Sequence, residues 1–346
     1  MSTDASIRAA DNRADTRTDT RAADTGAEAR ALSTAAAAAG HAPSIHNTQP
    51  WRWRVTGNEL DLYLDHSRGL EITDPDSRLA VLSCGAALHH ALVSLAAAGW
   101  HTRVARMPNP AHPDHLAQVR VDHRTPVTPA AVRHLQTIAL RHTDRRPVVS
   151  DPVTADKLHA VVTAVESAGA HLHLLRPDQV YDLATAVDHA QRTEADEVAW
   201  QAELAYWTGG TRPLGTGIPD SAIGDRAPQT TVPGRDFGHY GDLPISEAHE
   251  NAATFAILYG LEDGKLDWLR AGEALSAAWL SATELGVSVL PLSATIEVAG
   301  TREQLRRLLA DLGHPQLVLR FTTADPGGTA AAHTPRIPAD QVIERA

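Results

Sequence analysis

Residues 79–99 and 266–286 align without a gap, and this self-similarity limits the architecture more than any other feature of the chain. Eight of the 21 positions are identical: Leu79 with Leu266, Leu82 with Leu269, Gly85 with Gly272, and Ala87, Leu88, Ala91, Ser94 and Gly99 with Ala274, Leu275, Ala278, Ser281 and Gly286. Each stretch reads as an apolar helix stopped by glycine. Each is followed by His-Pro and a strand-like run: His112-Pro113 before AQVRV (117–121), and His314-Pro315 before QLVLRF (316–321). In the second copy Leu266, Leu269, Leu275, Trp279, Leu280 and Leu285 spread around the whole helix. A helix apolar on every side belongs in an interior. One such helix per repeat is expected to pack on the other as the seam of an intramolecular pseudo-dimer. The alternative is two ordinary core helices of like composition.

The other periodicities fill in around these helices. A helix is expected over 26–39, ending at Gly40, then the polar loop APSIHNTQPW (42–51). In WRWRV, Trp51, Trp53 and Val55 alternate with Arg52 and Arg54, the period of a half-buried strand. TGNE (56–59) and the alternating LDLYLD after it complete a hairpin. Thr128 and Pro129 mark a helix start that runs to about Leu140. A helix over 155–168, strands at 171–175 and 254–259 and a helix over 265–285 follow. Between 205 and 245 the chain is rich in Gly and Pro. A loop of that length inside a compact protein is disordered or a functional lid.

Composition excludes several function classes. The net charge of −11 argues against a nucleic-acid partner. Only Cys84 is a cysteine, so neither an internal disulfide nor a cysteine-built metal site can form. His89/His90 and His171/His173 lack a third ligand at useful spacing, so no metal is expected. No apolar run approaches the roughly 18–20 residues a membrane helix requires, and the N-terminus lacks a signal-peptide core. The expected location is therefore cytoplasmic, with no membrane partner. Residues 1–30 carry six acids and five arginines around only Met1 and Ile7, which reads as a disordered tail.

Three segments carry the candidate chemistry. APSIHNTQPW resembles a signature of the nitroreductase family, in which a Pro-Ser loop with Asn and then Gln-Pro-Trp precedes a strand. RHTDRRP (141–147) resembles that family's basic motif, and the strand LVLRF, a loop and TPR (334–336) resemble its C-terminal end. The resemblance spans about residues 31–346 and is nearest to the internally duplicated Acg-type FMN-binding subfamily. It implies an α+β, nitroreductase-like fold made of two fused half-copies, 31–122 and 123–346. It implies FMN as cofactor, with Pro43, Ser44, Ile45 and Asn47 beside the flavin. Arg141, His142, Thr143, Arg145 and Arg336 fall in the phosphate motifs, since planar guanidinium forks suit a phosphate dianion. PLSAT (291–295) matches the family loop whose backbone approaches the flavin, giving Leu292 and Ser293, although the acidic residue and glycine common there are missing.

The Pro-Ser-Asn loop occurs only in the first half, and the basic motif, the PLSAT loop and the terminal Arg only in the second. One complete composite site per chain is therefore expected, in a monomer acting as a pseudo-dimer. The leading function is transfer of electrons from reduced FMN to a small acceptor, with NAD(P)H as possible donor. No side chain is assigned as catalytic, because the flavin carries the chemistry. The competing reading is a non-enzymatic flavin-binding or sequestering protein whose lid closes the site.

Overall fold

The hairpin forms as read: β1 (Trp51–Thr56) pairs antiparallel with β2 (Glu59–Leu64). The inward row Trp51, Trp53 and Val55 is buried against the first core. The computed structural model describes residues 26–147, 151–209, 212, 215–250, 252–324 and 333–345. The tail expected over 1–30 lies outside the described residues up to residue 25, and 26–30 belong to α1 (26–39).

The long apolar helices are α2 (Arg78–Ala97) and α7 (Lys265–Glu284). They cross at their shared glycines. A Cβ added at Gly85 would lie 2.0 Å from the Leu269 carbonyl oxygen, and one at Gly272 would lie 1.8 Å from that of Leu82. The contacts are reciprocal, because Leu82 and Leu269 are themselves matched positions of the repeat. By length and composition α2 could cross a membrane, contrary to the expectation that no segment could. Here 83% of its apolar window is buried inside the protein, so its hydrophobicity is spent on the α7 seam.

The two sheets share one plan. The first is ordered β3-β4-β2-β1, with β3 (Trp100–Arg106) and β4 (His115–Arg124); the second is β7-β8-β6-β5, with β5 (His171–Leu174), β6 (Thr254–Gly260), β7 (Val287–Leu292) and β8 (His314–Thr323). All these neighbours are antiparallel. In each half the long helix connects the second strand to the outer edge strand, and the last strand returns between them. The result is an α+β architecture with two sheet cores, one on each side of the helix seam.

The halves differ in what is added. α3 (Pro129–Leu140) starts at Thr128, whose Oγ1 accepts from the Ala131 N–H at 3.1 Å, as its sequence suggested. It is followed by α4 (Ala155–Ser167). Two helices not expected, α5 (Pro177–Asp196) and α6 (Val198–Trp207), come between β5 and β6. α8 (Ala294–Glu297) and α9 (Ala299–Leu308) come between β7 and β8. β9 (Ile343–Arg345) runs parallel to β1 and extends the first sheet. The tail of the second half thus completes the first. β4 ends at Arg124, two residues past the boundary expected at 122.

The crossing makes a sharp expectation. Gly85→Ala or Gly272→Ala must drive the helices apart and should cost about 3 kcal/mol or more, the upper range for overpacking. Gly300→Ala in α9 meets nothing within 4 Å, and should be neutral or gain about 0.5–1 kcal/mol from helix propensity. Urea midpoints of the three variants check this; equal effects would contradict the close crossing.

Candidate functional site

A cavity of about 480 Å³ opens beside the α2–α7 seam, within the range of small-molecule and cofactor sites. Every one of the eleven site residues read from the sequence lines it. Pro43, Ser44, Ile45 and Asn47 come from the loop after α1, Arg141, His142, Thr143 and Arg145 from the segment after α3, Leu292 and Ser293 from the β7–α8 junction, and Arg336 from the tail. Leu79, Leu82 and Ser83 of α2 and Leu275 and Trp279 of α7 form the inner wall.

The first loop is shaped by unusual backbone. His46, Asn47 and Gln49 have φ of 43°, 57° and 54°, a left-handed run that non-glycine residues hold only where surroundings over-determine it. The surroundings are visible. The Ser83 hydroxyl accepts from the Ile45 N–H at 3.1 Å, and the Ser44 hydroxyl from the Gln49 N–H at 3.0 Å. The Asn47 amide donates to the carbonyls of Gly217 (3.0 Å) and Pro335 (2.9 Å), and its oxygen accepts from Arg336. Gln49 donates to Gly215 O at 2.6 Å and accepts from the Ile337 N–H. Asn47 and Gln49 therefore fasten the 215–217 segment and the tail to the loop. Asn47 was expected to address a ligand; its side chain is committed to the protein.

The basic residues divide into two groups. Arg141 and Arg336 share the His41 carbonyl oxygen and have no carboxylate partner among the described residues. Arg141 lies over the Trp279 ring at 4.7 Å. Each keeps a buried Nε without a hydrogen-bond acceptor. Burial, then the charge of Arg336, brings the Arg141 guanidinium down to about 9, and burial brings Arg336 down to about 10. The same two cations, after burial, lower the His41 imidazole, so it is neutral. Arg145 stands apart from this pair. It donates to the Ala222 carbonyl, lies 5.5 Å over Phe237, and the charges it feels are Asp144 and Arg235. Arg146, in the same motif, is neutralised by Asp144 at 2.6 Å.

Sequence reasoning missed Arg235. It enters from the Gly/Pro-rich segment, which packs as one wall of the cavity with its own small core of Ile218, Ala222, Ile223 and Phe237. Of the described large apolar residues between 205 and 223, Trp207, Ile218 and Ile223 are buried and Tyr206 is half exposed. Arg235 pairs with Glu297 of α8 at 2.6 Å and Glu194 of α5 at 2.8 Å, and donates to Ser293 Oγ at 3.2 Å. Burial alone works against each charge. Arg235 nevertheless holds the Glu297 carboxyl well below its usual range, and the two acids hold the guanidinium protonated. Ser293, expected beside a cofactor, uses its hydroxyl on this pair.

Among the described residues one group could hold a metal ion, His101, Asp122 and His123 on β3 and β4. It is exposed, does not line the cavity, and Arg103 already contacts the same Asp122 oxygen at 3.1 Å.

Glu297→Gln leaves Arg235 buried with half its counter-charge and should cost about 3–5 kcal/mol, the usual penalty for breaking a buried pair. Because the folded carboxyl is depressed, the native contribution is complete above the ordinary value of 4.5 and is lost only as pH falls through the lower folded value. Denaturant titrations of both proteins from pH 7 down through about 2, the folded value, measure it.

No family model matches the chain. A Mycobacterium tuberculosis (strain H37Rv) protein named as a candidate NAD(P)H nitroreductase is 36% identical over 321 residues, covering 90% of this chain and 91% of the relative. The acg-named candidate NAD(P)H nitroreductase of the same strain is 32% identical over 317 residues, 90% and 95%. Among solved structures, an FMN-bound nitroreductase from Bacteroides fragilis gives a TM-score of 0.36 at 16% identity, over 58% of this chain and 93% of that one. On its full-length relatives, the chain belongs to the nitroreductase family, beside its acg-named members.

Proposed function

We propose that the chain binds one FMN and passes electrons from the reduced flavin to a small acceptor, drawing them from NAD(P)H. The observation that carries this reading is a pair of carboxylate-free guanidiniums, the buried Arg141 and the partly buried Arg336, lining one cavity with apolar walls. Two like charges taken out of water without a counter-ion cost the fold several kcal/mol. Such a pair is stable in a native protein when a ligand anion supplies the missing charge. A phosphate monoester fits it: Arg141 and Arg336 bring free N–H groups, and Thr143 and Thr334 line the same cavity. The walls from Ile45, Leu82, Leu275, Leu292 and Phe237 suit a flat heteroaromatic ring.

In this reading the residues position and shield while the bound flavin supplies the redox chemistry. Arg141 and Arg336 hold the phosphate. Arg145, on the Arg235 side, addresses the ring. Ser293, directly after Leu292 at the end of β7, is held by Arg235 through its hydroxyl. The site draws on both sheets' halves, and the identical strand plans support descent from a duplicated half in which one of two composite sites was kept. The protein then acts as a monomeric pseudo-dimer, with one FMN per chain.

The test is flavin stoichiometry together with a phosphate comparison. FMN should bind one-to-one. Arg141→Met and Arg336→Met should each weaken FMN by about one to two decades, the effect of losing a charge-assisted hydrogen bond. Riboflavin, without phosphate, should be much less affected, whereas Arg145→Met should weaken both ligands alike. Apo Arg141→Met should be no less stable than the native apoprotein, because the cation it removes is unpaired. Two flavins per chain, or equal losses for both ligands in the Arg141 variant, would reject the assignment.

A second reading, a flavin-holding protein that is not an enzyme, is favoured by the packed segment around Arg235. If that wall stays closed, dithionite should bleach the flavin readily and NAD(P)H slowly. Deleting about residues 209–235 behind a short Gly-Ser bridge should then speed NAD(P)H reduction. Rapid pyridine-nucleotide turnover by the intact chain selects the enzyme.

A further inference from the structure

His46 lies in the middle of the Pro-Ser-Asn loop and lines the cavity, yet none of the motifs gives it a role. It is 7% exposed and held at φ 43°. Its Nε2 is 3.4 Å from the Arg235 guanidinium. A guanidinium has only donors, so this contact is a hydrogen bond only if Nε2 carries the lone pair. The ring proton is then on Nδ1. Among the described residues nothing accepts from Nδ1, and unlike both nitrogens of His90, it is not an enclosed orphan atom. What remains open to it is the cavity.

We propose that His46 is a ligand-directed donor: a neutral imidazole, fixed in its Nδ1–H form by Arg235, that offers this N–H to a carbonyl oxygen or ring nitrogen of the flat heteroaromatic ring bound in the cavity. The proposal rests on the flavin reading for the ligand's identity, but the tautomer belongs to the apoprotein. The groups facing the ring from other elements are Arg235 from the cavity wall, Glu297 of α8 and Arg145 after α3. Two of the three are cations that disfavour a second proton, and burial disfavours it further, bringing His46 down to about 3. The donor is therefore present at constant strength across the neutral range. Its position also gives Arg235 a second duty. The residue that pins the wall of the cavity also sets which nitrogen of His46 faces the ligand.

The experiment is nitrogen NMR of the apoprotein labelled in histidine, with His46 assigned by its loss in His46→Asn, a residue that tolerates left-handed backbone. The expected result is one neutral Nδ1–H form, unchanged between pH 5.5 and 8, giving way to a tautomer mixture or the Nε2–H form in Arg235→Met. An Nε2–H form in the native protein, or an imidazolium within that range, would overturn the proposal whether or not flavin binds. Adding riboflavin should then shift the Nδ1–H resonance. His46→Phe, which keeps the bulk of the ring, should weaken riboflavin and FMN equally, by about three- to tenfold. That pattern differs from the Arg141 variant, which is selective for FMN. Riboflavin binding that leaves the Nδ1–H resonance unmoved would remove the ligand contact, and failure of any flavin to bind would instead reject the functional reading while the tautomer result stands.

Discussion

Everything in this structure is arranged around two glycines that let a pair of helices touch backbone to backbone. Gly85 faces Leu269 and Glu273, and Gly272 faces Leu82 and Ala86. Adding 187 to Leu82, Gly85 and Ala86 gives Leu269, Gly272 and Glu273, so the contact is symmetric under exchange of the repeats. Close approach at this point leaves no room for side chains between α2 and α7. Their larger residues are pushed outward to both sides, where they meet the two sheets as Leu88 and Leu95 do in one core and Leu275 and Trp279 in the other. Alternative packings of two uniformly apolar helices are many, and the glycine notch selects one.

The cavity follows from that crossing. Helices that touch at one point diverge away from it, and on one side the divergence is filled by neither sheet. Leu79 and Leu82 of one helix and Leu275 and Trp279 of the other form its floor. Elsewhere on the seam, Arg106 of β3 is paired with Glu273 of α7 at 2.6 Å, and the matched position of α2, Ala86, has no such group. An approximately symmetric frame therefore carries asymmetric contents. The tail strengthens the asymmetry, because β9 joins the first sheet beside β1 and brings Arg336 to the cavity on its way there.

The frame was legible because it depends on local pattern: hairpin alternation, the Thr128-Pro129 start and the repeat itself all report short-range periodicity. The eleven site residues were legible through resemblance, and all of them do line one cavity. What could not be read was division of labour. Nothing in APSIHNTQPW says that Asn47 and Gln49 fasten other segments, since their partners are 166 to 289 residues away. Arg235 was one arginine among many, and its two acids come from helices that the sequence reading did not place. The sequence reading places no strand over 287–290 and gives PLSAT (291–295) as a loop by resemblance, whereas β7 runs through Pro291 to Leu292. It is an edge strand of its sheet, and there a missing N–H is tolerated.

The charges around the cavity show how one fold treats buried arginine in two ways. Arg235 is compensated in place, by Glu297 and Glu194, and so contributes to a closed wall at neutral pH without any ligand. Arg141 and Arg336 have only carbonyl oxygens and, for Arg336, the Asn47 amide oxygen and the Thr334 hydroxyl. Those acceptors fix where the guanidiniums point but leave their charge uncancelled. Substituting a carboxylate near them would stabilise the empty protein and at the same time fill the place of an anionic ligand. Marginal stability in the empty state is thus tied to affinity in the loaded one, because an anion that binds only the folded chain recovers the cost as binding free energy. The compensated arginine belongs to the architecture, and the uncompensated pair is what the proposed phosphate site rests on.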